Sequence, residues 1–181
     1  MAYRIRRSKI SDTEILGQIH SRAWQDTYIG LMPANLLARA GSVERRTAIR
    51  RDMFTNTTPD WGHFLVENEA DEVVGFGDCG PAHQVKDFAE AEIYTLYLLQ
   101  SAQKQGWGKQ LMRHMLSHLA ERSFKKAALN VLATNETALQ FYQKLGGQEV
   151  SRKTVDFLGT TLPEAVYAWP DLKMFAERQG S

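Results

Sequence analysis

Apolar and polar residues alternate from Tyr3 to Arg7, and that period of two predicts a short opening strand. A helix follows. Ser11 or Asp12 supplies its cap, Glu14 stands three after Ser11 as a capping box requires, and Ile15, Leu16, Ile19 and Ala23 form its buried stripe. Gly30 and Pro33 end the segment 24–33 in a turn. A second helical stretch covers about 34–53, broken near Gly41 and Ser42, with Ser42 placed to cap the later half. His63 to Glu67 and Val73 to Asp78 read as a hairpin across the polar stretch 68–72.

The strongest strand is 91–99, where Ile93, Leu96, Tyr97, Leu98 and Leu99 make a nearly continuous β-rich apolar run. A polar loop over 100–105 leads to a helix at about 106–122, whose Leu111, Met112, Met115, Leu116 and Leu119 recur at helical spacing. Another strand is expected at 127–133 and another helix at 135–145, ended by Gly146 and Gly147. Residues 149–158 and 162–169 read as a closing hairpin around Gly159. No repeat, low-complexity tract or linker interrupts the order. The expectation is one mixed α/β domain of the α+β kind over 1–181, with an ordered core at 2–175.

Composition narrows the partners. The chain is 43% hydrophobic and 24% charged, as an ordinary globular protein is, and its formal net charge of +1 gives no field to steer nucleic acid or an anionic membrane. The basic clusters Arg4 to Lys9 and Arg45 to Arg51 are interleaved with acids and apolar residues, so they read as solvated element faces. Neither a nucleic-acid nor a membrane partner is expected, and no run approaches the roughly 18 apolar residues that cross a bilayer. The lone Cys79 reads as a small, semi-buried residue at a strand end and fits a reducing compartment. With no apolar leader near Met1, the expected location is the cytoplasm. No metal site is expected.

The candidate chemistry lies between the 91–99 strand and the helix after it. A helix start exposes unpaired N–H groups and a partial positive charge, and Gly106 and Gly108 let a diphosphate approach that backbone. Two familiar glycine motifs fail. A Walker loop needs Ser or Thr after its lysine, but Gln110 follows Lys109. A dinucleotide fingerprint needs a third glycine where Leu111 stands. The remaining pattern, Gln103-x-x-Gly106-x-Gly108, resembles motif A of the GNAT superfamily of N-acetyltransferases. Downstream, Asn135-x-x-Ala138-x-x-Phe141-Tyr142-x-Lys144-Leu145-Gly146 is similar to the family's second signature, departing from it at Gly147, where the family usually carries Phe. Together the two signatures cover about 90–147.

The resemblance implies a mixed sheet of six to seven strands flanked by about four helices and splayed at an acetyl-CoA site. It implies that the Leu96 N–H faces the thioester carbonyl and that the Leu98 backbone pairs with the pantetheine arm. Gln103 opens the motif, and Lys104, Gln105, Gly106, Trp107, Gly108 and Lys109 supply the diphosphate amides. Asn135 caps its helix and also meets the pantetheine arm. Tyr142 protonates the departing sulfur. Glu92, fourteen residues before Gly106, is the candidate base, acting directly or through a relayed water. Asn130 stands where some relatives place an acid instead. The implied reaction transfers acetyl from acetyl-CoA to a primary amine of a small molecule or peptide by direct attack through a tetrahedral intermediate. A non-catalytic acyl-CoA sensor or interaction module is the alternative. Trp24, Tyr28 and Tyr94 are candidate acceptor-pocket residues, and a homodimer is expected for this fold.

Overall fold

A computed structural model of the chain describes residues 3–176. Residues 1, 2 and 177–181, which the expected domain includes, lie outside the described residues. The alternating start forms β1 (Arg4–Arg7), which pairs antiparallel with β2 (Gly62–Glu67). The other strands are β3 (Val73–Pro81), β4 (Ala91–Leu98), β5 (Ala127–Leu132), β6 (Gln148–Phe157) and β7 (Thr160–Trp169). They make an open mixed sheet in the order β1-β2-β3-β4-β5-β7-β6. The helices are α1 (Thr13–Tyr28), α2 (Ala34–Gly41), α3 (Val43–Thr55), α4 (Trp107–Glu121), α5 (Glu136–Lys144) and α6 (Lys173–Ala176). About four were expected and six are described. The break at Ser42 divides one stretch into α2 and α3, and α6 is a single turn near the end of the described chain.

Two compact units divide the chain. The first comprises the chain up to Asp78 together with Thr95–Met112, and the second comprises Cys79–Tyr94 and the chain from Arg113 onward. The core of the first gathers Leu16, Ile19, Leu65, Phe76 and Leu99. That of the second gathers Val85, Ala89, Ala128, Val166 and Ala168. All five expected apolar positions of α4 are fully buried, because their spacing keeps them on one side of the helix.

In the first unit, Ser42 caps α3 as expected, its hydroxyl accepting from Arg45 N. Asp12, one of the two expected residues, holds the N-cap position of α1, but its side chain makes no cap hydrogen bond. Asp12 ends a short 3₁₀ turn at 10–12, and its carboxylate accepts from Lys9 N (2.7 Å) and from Arg6. Glu14 turns instead to Arg51 (2.8 Å), so the Ser11–Glu14 box is not formed. Ile15 is exposed, while Leu16, Ile19 and Ala23 are buried as expected. The largest departure is on α3. Its buried residues are Arg46, Thr47 and Arg50, so part of the basic cluster read as solvated faces the interior.

In the second unit, the register pairs of parallel β4 and β5 are Ala91↔Ala127 and Glu92↔Ala128, and Ile93 and Tyr94 continue β4 without a register partner on β5. The expected splay begins there. Antiparallel pairing of β5 with β7 runs from Ala127↔Trp169 to Leu132↔Glu164. Cys79 is fully buried rather than semi-buried, with Sγ against Met115 O. Leu158 and Gly159, both at positive φ, make the tight turn between β6 and β7.

Gly147 explains its departure from the family signature. A Cβ there would stand 2.8 Å from Trp169 Cζ2 and 3.0 Å from Tyr142 O, while Trp169 itself is held by donation from Nε1 to Leu145 O (3.0 Å). The Trp169 ring occupies the space that a larger residue at 147 would need. Gly147→Phe is therefore expected to lose about 1–3 kcal/mol of stability by overpacking, read as a lower urea midpoint. An unchanged or higher midpoint would mean that Trp169 can vacate the space.

Candidate functional site

In the first unit the loop leading to α4 is shaped by its own side chains. Gln103 Nε2 donates to Leu98 O (3.0 Å) and Gln105 Nε2 to Ser101 O (2.7 Å), while Gln105 Oε1 accepts from Tyr3 OH (3.1 Å). Lys104 and Gly106 both adopt left-handed backbone, with φ of 59° and 89°. Glycine takes that conformation freely and an L side chain rarely does, so the turn relies on Gly106. The Trp107 ring, half-buried, lies against Tyr3 at a centroid distance of 4.5 Å.

The consequence is a run of unused donors. The backbone amides of Lys104 to Lys109 find no acceptor among the described residues, whereas Gln103 N donates to Gln100 O and Gln110 N to Gly106 O. Successive amides across left-handed and helical residues form a concave anion-binding nest, and the α4 dipole adds partial positive charge. Lys104 and Lys109 are exposed beside it. The residues present fit a diphosphate.

The first unit also holds a buried ionic network. Asp78 pairs with Arg50, accepts from Thr95 Oγ1, and accepts from His63 Nδ1 at 2.8 Å. Burial alone would raise the Asp78 carboxyl, but the Arg50 charge and the His63 and Thr95 hydrogen bonds hold it well below the usual carboxylate range. His20 is held well below its ordinary value by burial first, then by the charges of Arg50 and Arg46. Its Nδ1 lies 3.5 Å from Arg50 Nη2, which can only donate, so that nitrogen carries no proton. Trp24 and Tyr28 pack together at 4.4 Å, and the Tyr28 and Tyr97 hydroxyls meet at 3.3 Å.

In the second unit Asn135 caps α5, accepting from Ala138 N (3.2 Å) through Oδ1 and leaving Nδ2 available. Tyr142 is half-buried, with its ring edge-on to Trp169 at 6.1 Å and tilted on Tyr167 at 6.4 Å. Glu92 is buried, and its Oε2 accepts from both His83 N and Gln84 N at 2.8 Å. Tyr94 gives its hydroxyl to Pro81 O. Asn130 Nδ2 donates to Gln84 Oε1 (3.2 Å) while its Oδ1 is buried without an acceptor role.

Glu164, not among the candidate residues above, shares a sheet face with Glu92. Cross-strand partners point to the same side, and the pairs Glu92↔Ala128 and Leu132↔Glu164 put both acids on the face of Asn130. Burial, and then the nearby Glu92 charge, raise the Glu164 carboxyl, against the opposing pull of Lys153. An acid inside the otherwise apolar run of β7 was the available signal.

The open mixed sheet and the donor-lined turn that heads α4 belong to the class of acyl-CoA-dependent transferases. The chain is a member of the acetyltransferase (GNAT) family, whose sequence model matches residues 18–147. The resemblance read from the two signatures is thereby borne out, and the protein is an acetyl-CoA-dependent acetyltransferase. Among its relatives, the Uncharacterized N-acetyltransferase YuaI of Bacillus subtilis is 26% identical over 93% of each chain. The Peptidyl-lysine N-acetyltransferase YjaB of Escherichia coli is 29% identical over 90% of this chain and 94% of its own. The PaiA N-acetyltransferase of Thermoplasma acidophilum, solved in complex with coenzyme A, superposes with a TM-score of 0.65 at 20% identity, covering 91% of this chain and 98% of its own. Among the described residues no helix is long and apolar enough to cross a membrane.

Proposed function

We propose that this chain transfers the acetyl group of acetyl-CoA to a primary amine, acting in the cytoplasm on a small molecule or peptide. The observation that carries the proposal is the unbroken run of acceptor-less amides from Lys104 to Lys109. They hold the diphosphate, with Gln103 fixing the loop to the end of β4 and Trp107 bracing it on Tyr3. When bound, acetyl-CoA supplies an activated thioester.

The remaining roles belong to this chain's residues. The Leu96 N–H stabilises the developing oxyanion, where one well-placed donor is worth about 10²–10³ in rate. The Leu98 backbone and Asn135 Nδ2 orient the pantetheine arm. Glu92 takes the proton of the attacking amine through a water, since its Oε2 is already engaged by two amides. Glu164, on the same face and with its carboxyl raised by burial, is placed to receive the proton onward along that relay. Tyr142 donates to the leaving sulfur. Full transfer from a phenol near pKa 10 to a thiolate near 8.5 is uphill by roughly 2 kcal/mol, so a strong hydrogen bond suffices for part of the effect.

Thiol release from acetyl-CoA, followed against a panel of amines, tests the reading. Tyr142→Phe is expected to lower kcat by about 10²-fold with little change in CoA affinity, because an acid acts in the transition state. A collapse of CoA affinity at unchanged kcat would remove Tyr142 from the chemistry.

A further inference from the structure

Arg46 and Arg50 lie one helical turn apart on the buried face of α3, yet among the described residues only one has a counter-ion. Arg50 is paired with Asp78. The Arg46 residue is 7% exposed, and its Nε and Nη2 are buried with no acceptor among the described residues. The groups that act on it are the Tyr97 and Tyr28 phenols and the like charges of Arg45 and Arg50, with no carboxylate among them. Burial, the largest effect, pulls its pKa down to about 10. A buried cation without an anion is costly, so the position calls for an anionic partner.

The chemistry of the free edge says which kind. Nε–H and Nη2–H form the side of a guanidinium that matches the two oxygens of a carboxylate in a parallel fork. This protein uses that edge elsewhere, where Arg152 Nε and Nη2 bind the two oxygens of Glu149. The plane of Arg46 is already held, with Cζ 3.8 Å from the Trp24 ring centroid. That stacking fixes orientation and consumes none of the donors. The half-buried Tyr28 and Tyr97, whose hydroxyls meet at 3.3 Å, are the polar groups that act on Arg46 from α1 and β4.

We infer that Arg46, seated on Trp24 beside Tyr28 and Tyr97, is the subsite that binds a carboxylate of the amine acceptor, so that the acceptor is an amino acid or an amine of that kind. The assignment rests on the acetyltransfer reading and deepens it from any primary amine to one carrying an acid.

The test compares α-amino acids with their carboxamides in the thiol-release assay, at equal concentrations of neutral amine. Wild type is expected to show a KM about 10²-fold lower for the acid than for the amide, the size of effect that a desolvated charge pair produces. In Arg46→Gln the acid-to-amide ratio falls toward one, and in Arg46→Lys it is partly kept. A purely structural arginine would change both acceptors alike and leave the ratio in place. Equal KM values for acid and amide in wild type, with thiol release intact, would overturn the carboxylate site and leave acetyltransfer standing. Should no amine give thiol release, acetyltransfer itself fails, and calorimetry with N-acetylalanine and its amide decides the anion site separately. Binding of the acid alone, lost in Arg46→Gln, upholds the site, and binding of neither removes it.

Discussion

Gly108→Glu is expected to weaken coenzyme A binding by at least about 10²-fold while the protein stays folded. Gly108 lies in the first turn of α4 and is not among the positive-φ residues, so a side chain there imposes no backbone strain. A carboxylate at a helix N-terminus is favourable by about 0.3–1 kcal/mol, so the melting temperature should hold or rise slightly. The same carboxylate sits where the diphosphate would draw on the free amides of 104–109, replacing an attraction by a like-charge repulsion. Calorimetric titration with coenzyme A and a thermal melt separate the two effects. Unchanged affinity in a folded variant would take the loop out of the site.

Asp78→Ala is expected to cost about 3–5 kcal/mol of stability, a large part of the 5–15 kcal/mol typical of a domain. Both Asp78 and Arg50 are about 1% exposed, so removing the acid leaves a guanidinium buried without its anion and a His63 Nδ1–H without its acceptor. Adding Arg50→Met should recover much of the loss, because an apolar side chain in that place carries no desolvation penalty. Urea unfolding of the two variants decides the matter. A single variant within 1 kcal/mol of wild type, or a double variant worse than the single, would show that the pair does not act as a unit. The acid dependence has a definite sign. The native Asp78 carboxyl lies below its unfolded value, so its contribution is complete above about pH 4 and is lost as pH falls toward the native value.

Much of the fold was legible in the chain. The 3.6-residue recurrence from Leu111 to Leu119, the Ser42 cap and the glycine-bearing turn at 158–159 all rest on interactions within a few residues, which a linear pattern records. The amide run at 104–109 was legible for the same reason, since a strand, two glycines and a helix start define it locally. Signals failed where an isolated cue met a stronger neighbour. Ser11 and Glu14 had the spacing of a capping box, yet Asp12 was held by Arg6 and Arg51 drew Glu14 away. Gly147 is a bare departure from the family signature in the sequence, and its reason, the Trp169 ring that fills the space, comes from another strand.

The sequence by itself determined the order of strands and helices, the family and the backbone turn proposed to hold the diphosphate, because each is written in residues adjacent or one helical turn apart. Only the tertiary structure decided that Arg50 has Asp78 for a counter-ion while Arg46 Nε and Nη2 have no acceptor among the described residues, and that Glu164 shares a face with Glu92. Burial and counter-ions are supplied by segments distant in the chain, so an arginine on a solvated face and one stacked on Trp24 read alike until the chain folds.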